Sequence, residues 1–100
     1  MTVIRWRDIP AQVVVRDGRQ THKIVLHPRF QVAIDRAAAK AGRREWDDYL
    51  SEWRKEQRTC SGDVETEATA EAARLEAAYT AERLKQLVSA GGLDEVRQPA

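Results

Sequence analysis

AQVVVRDGRQTHKIVL, residues 11–26, decides how this chain folds. Val13, Val14 and Val15 are β-branched, and Gln20–Leu26 is a second strand-like run. Between them Asp17-Gly18 suits a tight type I′ turn, in which both central residues need positive φ, so the stretch is expected to close as a hairpin. Upstream, Val3–Arg7 alternates, with Ile4 and Trp6 on one face and Val3, Arg5 and Arg7 on the other, as a half-buried strand does. Pro10 ends or bends that strand. The three runs predict a small antiparallel sheet, with one face needing cover.

Helical patterns come next. Pro28 suits the first turn of a helix, where its missing N–H would have no intrahelical partner. Phe30, Ile34, Ala37 and Ala41 then form one apolar stripe, and Gly42 can close the helix in a left-handed conformation. A second stripe runs through Trp46, Tyr49, Leu50 and Trp53, with Asp47, Asp48, Glu52 and Arg54 toward water. These two helices are the expected cover for the sheet, with Trp46 and Trp53 packed in the core. Residues 59–63 read as a loop in which Ser61 or Asp63 can cap a third helix. Residues 64–90 are rich in Ala and Glu with no proline, which predicts that this helix is long and stops at Gly91-Gly92. Its stripe is uneven: Val64, Ala68, Ala72, Leu75 and Tyr79 share one side, whereas Leu84, Leu87 and Val88 turn away from it. Either the helix bends or its ends pack on different things, a second subunit among them. Residues 91–100 are expected to be a flexible tail.

A chain of 100 residues allows one domain, and 42% hydrophobic with 33% charged residues fits a globular protein. No apolar run is long enough to span a bilayer, and Arg5, Arg7 and Asp8 interrupt any signal-peptide core, so no membrane attachment and a cytoplasmic location are expected. A single cysteine, Cys60, makes no internal disulfide. The net charge of +1 hides an asymmetry: residues 1–60 carry 13 Lys or Arg against 8 Asp or Glu, and residues 61–100 carry 4 against 8. Such a split fits ordinary solvated helix surfaces, or a basic face for an anionic partner.

Catalytic signatures are sparse. Cys60 with His22 or His27 lacks the surroundings of a known nucleophile, and these three donors are too scattered for a zinc site. Asp47 and Asp48 point about 100° apart on a helix and do not converge with Glu45. No phosphate-binding glycine loop is present. The expectation is therefore a non-enzyme with no cofactor and no metal. Trp6 between Arg5 and Arg7 offers an aromatic surface beside guanidinium groups, although alternation favours its burial. Residues 20–58 also have the outline of a ribbon-helix-helix DNA-binding domain, in which Thr21, Lys23 and Val25 would face the major groove of DNA. His27 stands there where such domains place a buried aliphatic residue, and the preceding hairpin competes for the ribbon edge.

Trp6-Arg7-Asp8-Ile9-Pro10-Ala11-Gln12, with Arg29-Phe30-Gln31, Ala33-Ile34-Asp35, Tyr49-Leu50 and Trp53-Arg54 downstream, resembles the small bacterial virulence-factor family, a domain also found in conserved virulence factor C proteins. The resemblance covers residues 1–58, with the Ala/Glu-rich helix outside it. It implies no agreed activity and no catalytic residues. Longer relatives join the domain to an iron–sulfur scaffold-like segment and helical repeats, which implies protein contacts. Stand-alone relatives imply an accessory role near folate- and corrinoid-dependent methyl transfer.

The expected architecture is thus α+β: an antiparallel sheet of about three strands covered by two amphipathic helices, plus a long C-terminal helix that extends or dimerises it. The expected function is an interaction or accessory module for a protein partner. Its exposed contacts are Arg5, Arg7, Asp8, Gln12, Arg43 and Arg44. A dimeric DNA-binding regulator and an accessory subunit of a methyl-transfer or iron–sulfur system are the alternatives.

Overall fold

The computed structural model describes residues 1–43, 45–59 and 62–94. The elements run β1 (Thr2–Trp6), β2 (Ile9–Asp17), β3 (Gln20–Val25), α1 (Pro28–Lys40), α2 (Trp46–Ser51), β4 (Trp53–Gln57), α3 (Val64–Ala78) and α4 (Ala81–Ser89). The expected hairpin forms, but one residue later than its turn signal suggests. Asp17 pairs with Gln20, so Gly18-Arg19 is the two-residue loop, and only Gly18 has positive φ (61°). That is the pattern of a type II′ turn, which needs glycine at its first central position. Pro10 does not end a strand. It lies inside β2 where the register against β1 shifts, opposite Arg5, at the kind of irregularity that tolerates a residue without an N–H.

The sheet is antiparallel, in the order β3-β2-β1-β4. The chain is α+β, and a fourth strand joins the expected antiparallel sheet of about three. Helix α2 stops at Ser51, and the backbone from Trp53 pairs with the edge of β1 that β2 leaves open, with Trp6 opposite Trp53 and Val3 opposite Glu56. Helical spacing of aromatic residues was therefore misleading: Trp53 belongs to β4, and Trp46 is 70% exposed rather than packed. Pairing satisfies a row of β1 backbone groups that a short helix would have left unbonded. The second helix of the ribbon-helix-helix outline is also cut short at this point, to the 6 residues of α2.

Cover comes from α1 and α3 instead of α1 and α2. Val3, Val13 and Val15 on one sheet face are buried, and α3 lies over β2 and β3 with Ala68, Ala72 and Leu75 turned inward. The long helix breaks at Tyr79-Thr80: Tyr79 leaves helical geometry (ψ 75°), and the Thr80 hydroxyl accepts the Arg83 N–H to start α4. The break resolves most of the uneven stripe: Leu84 and Leu87 are buried as α4 packs along α1, so two of the three apolar residues that suggested a second subunit are used within the chain, and Val88 stays half-buried. His27 caps α1, its Nδ1 accepting the Arg29 N–H at 3.1 Å. Among the described residues no helix is long and apolar enough to cross a membrane.

Candidate functional site

The turn after β1 gathers most of the residues expected to form a contact surface, and it turns them inward. Arg5 is 5% exposed. Its Nε and Nη2 donate to Glu56 Oε1 on β4 at 3.2 and 3.0 Å, and Nη1 donates to the Tyr79 hydroxyl at 3.2 Å. Arg58 shares the same Glu56 oxygen at 2.9 Å and reaches Glu71 on α3 at 2.8 Å, and Arg74 pairs with Glu71 as well. A relay of alternating charges therefore ties β1, β4 and α3 together. Burial would raise the Glu56 pKa, but hydrogen bonds from Arg58 and Arg5 and the charges of both outweigh it and hold the carboxyl below its ordinary value. Arg58 is raised in turn, chiefly by its hydrogen bond to Glu56.

Arg7 takes the left-handed conformation (φ 52°), which costs a non-glycine residue roughly 1–2 kcal/mol. That geometry is held from several sides. The Arg7 N–H donates to the Glu52 carbonyl at 2.9 Å, its guanidinium pairs with the Glu52 carboxylate, and Nη1 donates to the Gly91 carbonyl at 3.0 Å. The guanidinium also stands over the Trp6 ring, 5.4 Å from its centroid. Asp8 is buried: its N–H donates to the Gly92 carbonyl at 2.9 Å, its Oδ2 accepts the Asp94 N–H at 2.6 Å, and Oδ1 faces Arg54 at 3.5 Å. Arg83 completes the group by pairing with Asp94 at 2.8 Å.

Together these contacts form a latch. Trp6, Arg7 and Asp8 clasp the Gly91-Gly92-Leu93-Asp94 turn, in which Gly91, Gly92 and Asp94 are buried, so these first four residues of the expected flexible tail are packed, and residues 95–100 lie outside the described residues. Gly92 has φ 89°, and a Cβ there would stand 2.9 Å from Trp6 Cζ3, so the indole closes on the backbone itself. Trp6 is fully buried, as alternation favours, and its Nε1 donates to the Tyr49 carbonyl at 3.0 Å.

Three of the six expected contact residues, Arg5, Arg7 and Asp8, are thus spent inside the molecule, and the expectation that both arginines are exposed is corrected. The β-bulge, the left-handed Arg7 and the carboxylates of β4 and α3 put those charges in the interior. Arg43 sits at the rim, pairing with Asp48 at 3.5 Å and Glu52 at 3.8 Å. Gln12 is half-buried in β2, and Arg44 lies outside the described residues, as does Cys60. Sequence reasoning missed Glu52, Glu56, Glu71, Tyr79 and Asp94 as partners. Alternation of Arg54 and Glu56 was the one available signal, and it fits a helix surface equally well.

The face of the sheet opposite Val3, Val13 and Val15 is different. One row across the four strands reads Val25, Gln12, Ile4, Lys55, and the next reads Lys23, Val14, Thr2, Gln57. All eight are half-buried or exposed, and Val25 is 70% exposed. Arg16 extends this face beside Thr21. No Asp or Glu stands in either row, and among the described residues Arg16, Lys23 and Lys55 make no ion pair.

An α+β module with an internally latched motif and one open sheet face is the class these features define. A family model described as virulence factor matches residues 4–88, and the chain belongs to that family. The match continues through α3 and most of α4, well past residue 58, so the Ala/Glu-rich segment is part of the family domain and not an addition to it. No curated protein and no solved structure matches the chain.

Proposed function

We propose that this chain is a non-enzymatic cytoplasmic accessory module that docks on an acidic protein surface through its open sheet face. The observation that carries this reading is the concentration of Arg16, Lys23 and Lys55 around Ile4, Val14 and Val25. Those cations make no ion pair among the described residues, and neither row contains an acid. Apolar centres with a charged surround are what a protein contact uses for affinity and for choice of partner. A single-stranded nucleic acid needs stacking aromatics, and neither row supplies one. The buried charges serve a different purpose: Asp8, Glu71 and Asp94 each have an arginine partner, so their chemistry is committed to the fold. Attachment to a methyl-transfer or iron–sulfur assembly is one form such docking takes.

The test is recovery of the tagged chain from its native cell. Wild type is expected to bring down one stoichiometric protein, and Lys23→Glu with Lys55→Glu is expected to lose it while still unfolding in one cooperative transition. Equal recovery by the double variant would remove the sheet face from the account. Retention on a polyanion column with a steep salt dependence would instead favour DNA.

A further inference from the structure

Helices α1 and α4 leave between them a cleft of about 500 Å³. Ala33 and Leu84 line its buried part, Val88 is half-buried, and Val32, 47% exposed, stands at its mouth. Arg29, Arg36 and Lys85 are the charged side chains along it, with no Asp or Glu among them. Arg29 is partly committed: its Nη2 donates to the Glu76 and Tyr79 carbonyls at the end of α3 at 2.7 and 3.4 Å, while its buried Nε has no hydrogen-bond partner among the described residues. Arg36 on the α1 wall and Lys85 on the α4 wall are exposed and, among the described residues, make no ion pair. The cleft thus has an apolar floor and, on each side, one cation without an ion pair among the described residues.

Its dimensions select the occupant. From Pro28 to Arg36 the α1 wall runs about 12 Å, or roughly two helical turns. A groove between two packed helices accepts the side-chain ridge of a third. Cations on both walls call for carboxylates on both flanks of the ligand, which a helix presents and a single-headed fatty acid does not. We propose that this cleft receives an acidic amphipathic helix of a partner protein, its apolar ridge on Val32, Leu84 and Val88 and its Asp or Glu side chains against Arg36 and Lys85. Protein contact is a premise shared with the proposed function, but the cleft is a separate surface.

Fluorescence anisotropy with two synthetic helices tests it on the full chain. Both carry leucines along one face, with that stripe flanked by Glu in one peptide and by Lys in the other. Wild type is expected to bind the Glu peptide about tenfold more tightly than the Lys peptide. Arg36→Glu with Lys85→Glu reverses that order, and matching unfolding midpoints show that the fold is kept. Equal binding of the two peptides, an unreversed preference, or no binding by either overturns the proposal. Tighter binding of dodecanoate than of the Glu peptide also overturns it, in favour of a small amphiphile. Lys23→Glu with Lys55→Glu should bind the Glu peptide as wild type does. Loss of binding there would assign the peptide to the sheet face and overturn the cleft while leaving the proposed function standing.

Discussion

The turn after β1 and the open sheet face are built from the same kinds of residue and are used in opposite ways. At the turn, Arg5 and Arg7 are surrounded by Glu56, Glu52, Tyr79 and the Gly91 carbonyl, so each cation is desolvated and answered. On the open face Lys23 and Lys55 extend from their strands and make no ion pair among the described residues. A run of cations beside an aromatic residue is therefore not by itself a contact surface. What decides is whether carboxylates distant in sequence are folded onto it.

The largest expected effect of breaking this contrast is at Arg5. Arg5→Ala leaves Glu56 without one of its two arginines and opens the interior beside Tyr79, and should cost about 3 kcal/mol in urea unfolding. A loss as small as that of a surface lysine would place Arg5 outside the stabilising network. Gly92→Ala comes next. Its Cβ meets the Trp6 ring at a backbone φ of 89°, so about 2 kcal/mol should be lost, with the indole fluorescence shifted as the latch loosens.

A pH effect of smaller size sharpens the same point. Glu56 has a folded pKa below its ordinary value of 4.5, so its contribution is fully present above that value and is lost as pH falls through the lowered folded pKa. Unfolding free energy should therefore decline on acidification below about pH 4.5, and Glu56→Gln should flatten that part of the profile. An unchanged slope in the variant would assign the acid sensitivity elsewhere. At the small end, Lys23→Glu with Lys55→Glu should alter stability by no more than about 0.5 kcal/mol per site, because neither lysine has an ion pair among the described residues to lose.

Local features of the fold were legible where one residue type has one use. The valine run, the glycine turn and Pro28 at a helix start each specify backbone geometry, and β2, β3 and α1 follow from them. Trp46 to Gln57 was not legible in the same way. Trp46, Tyr49, Leu50 and Trp53 satisfy helical spacing, yet the unpaired edge of β1 recruits Trp53–Gln57 as a strand, and that requirement is set by tertiary structure. The break at Thr80 was half legible, since the shift of the apolar stripe showed that two surfaces were involved but not that Thr80 would cap a new helix. The charge pairs were least legible of all: Arg5 finds Glu56 at a separation of 51 residues, and Asp8 finds the Asp94 N–H at 86. No local spacing encodes such partners.

Amide hydrogen exchange at Asp94 tests the latch most directly. Its N–H is buried and donates to Asp8 Oδ2 at 2.6 Å, so slow exchange is expected in wild type. Asp8→Ala should release it, with the rest of the sheet still protected. Exchange of Asp94 at the rate of an unstructured chain in wild type would contradict the account, and would return Arg7 and Asp8 to the surface as candidates for binding.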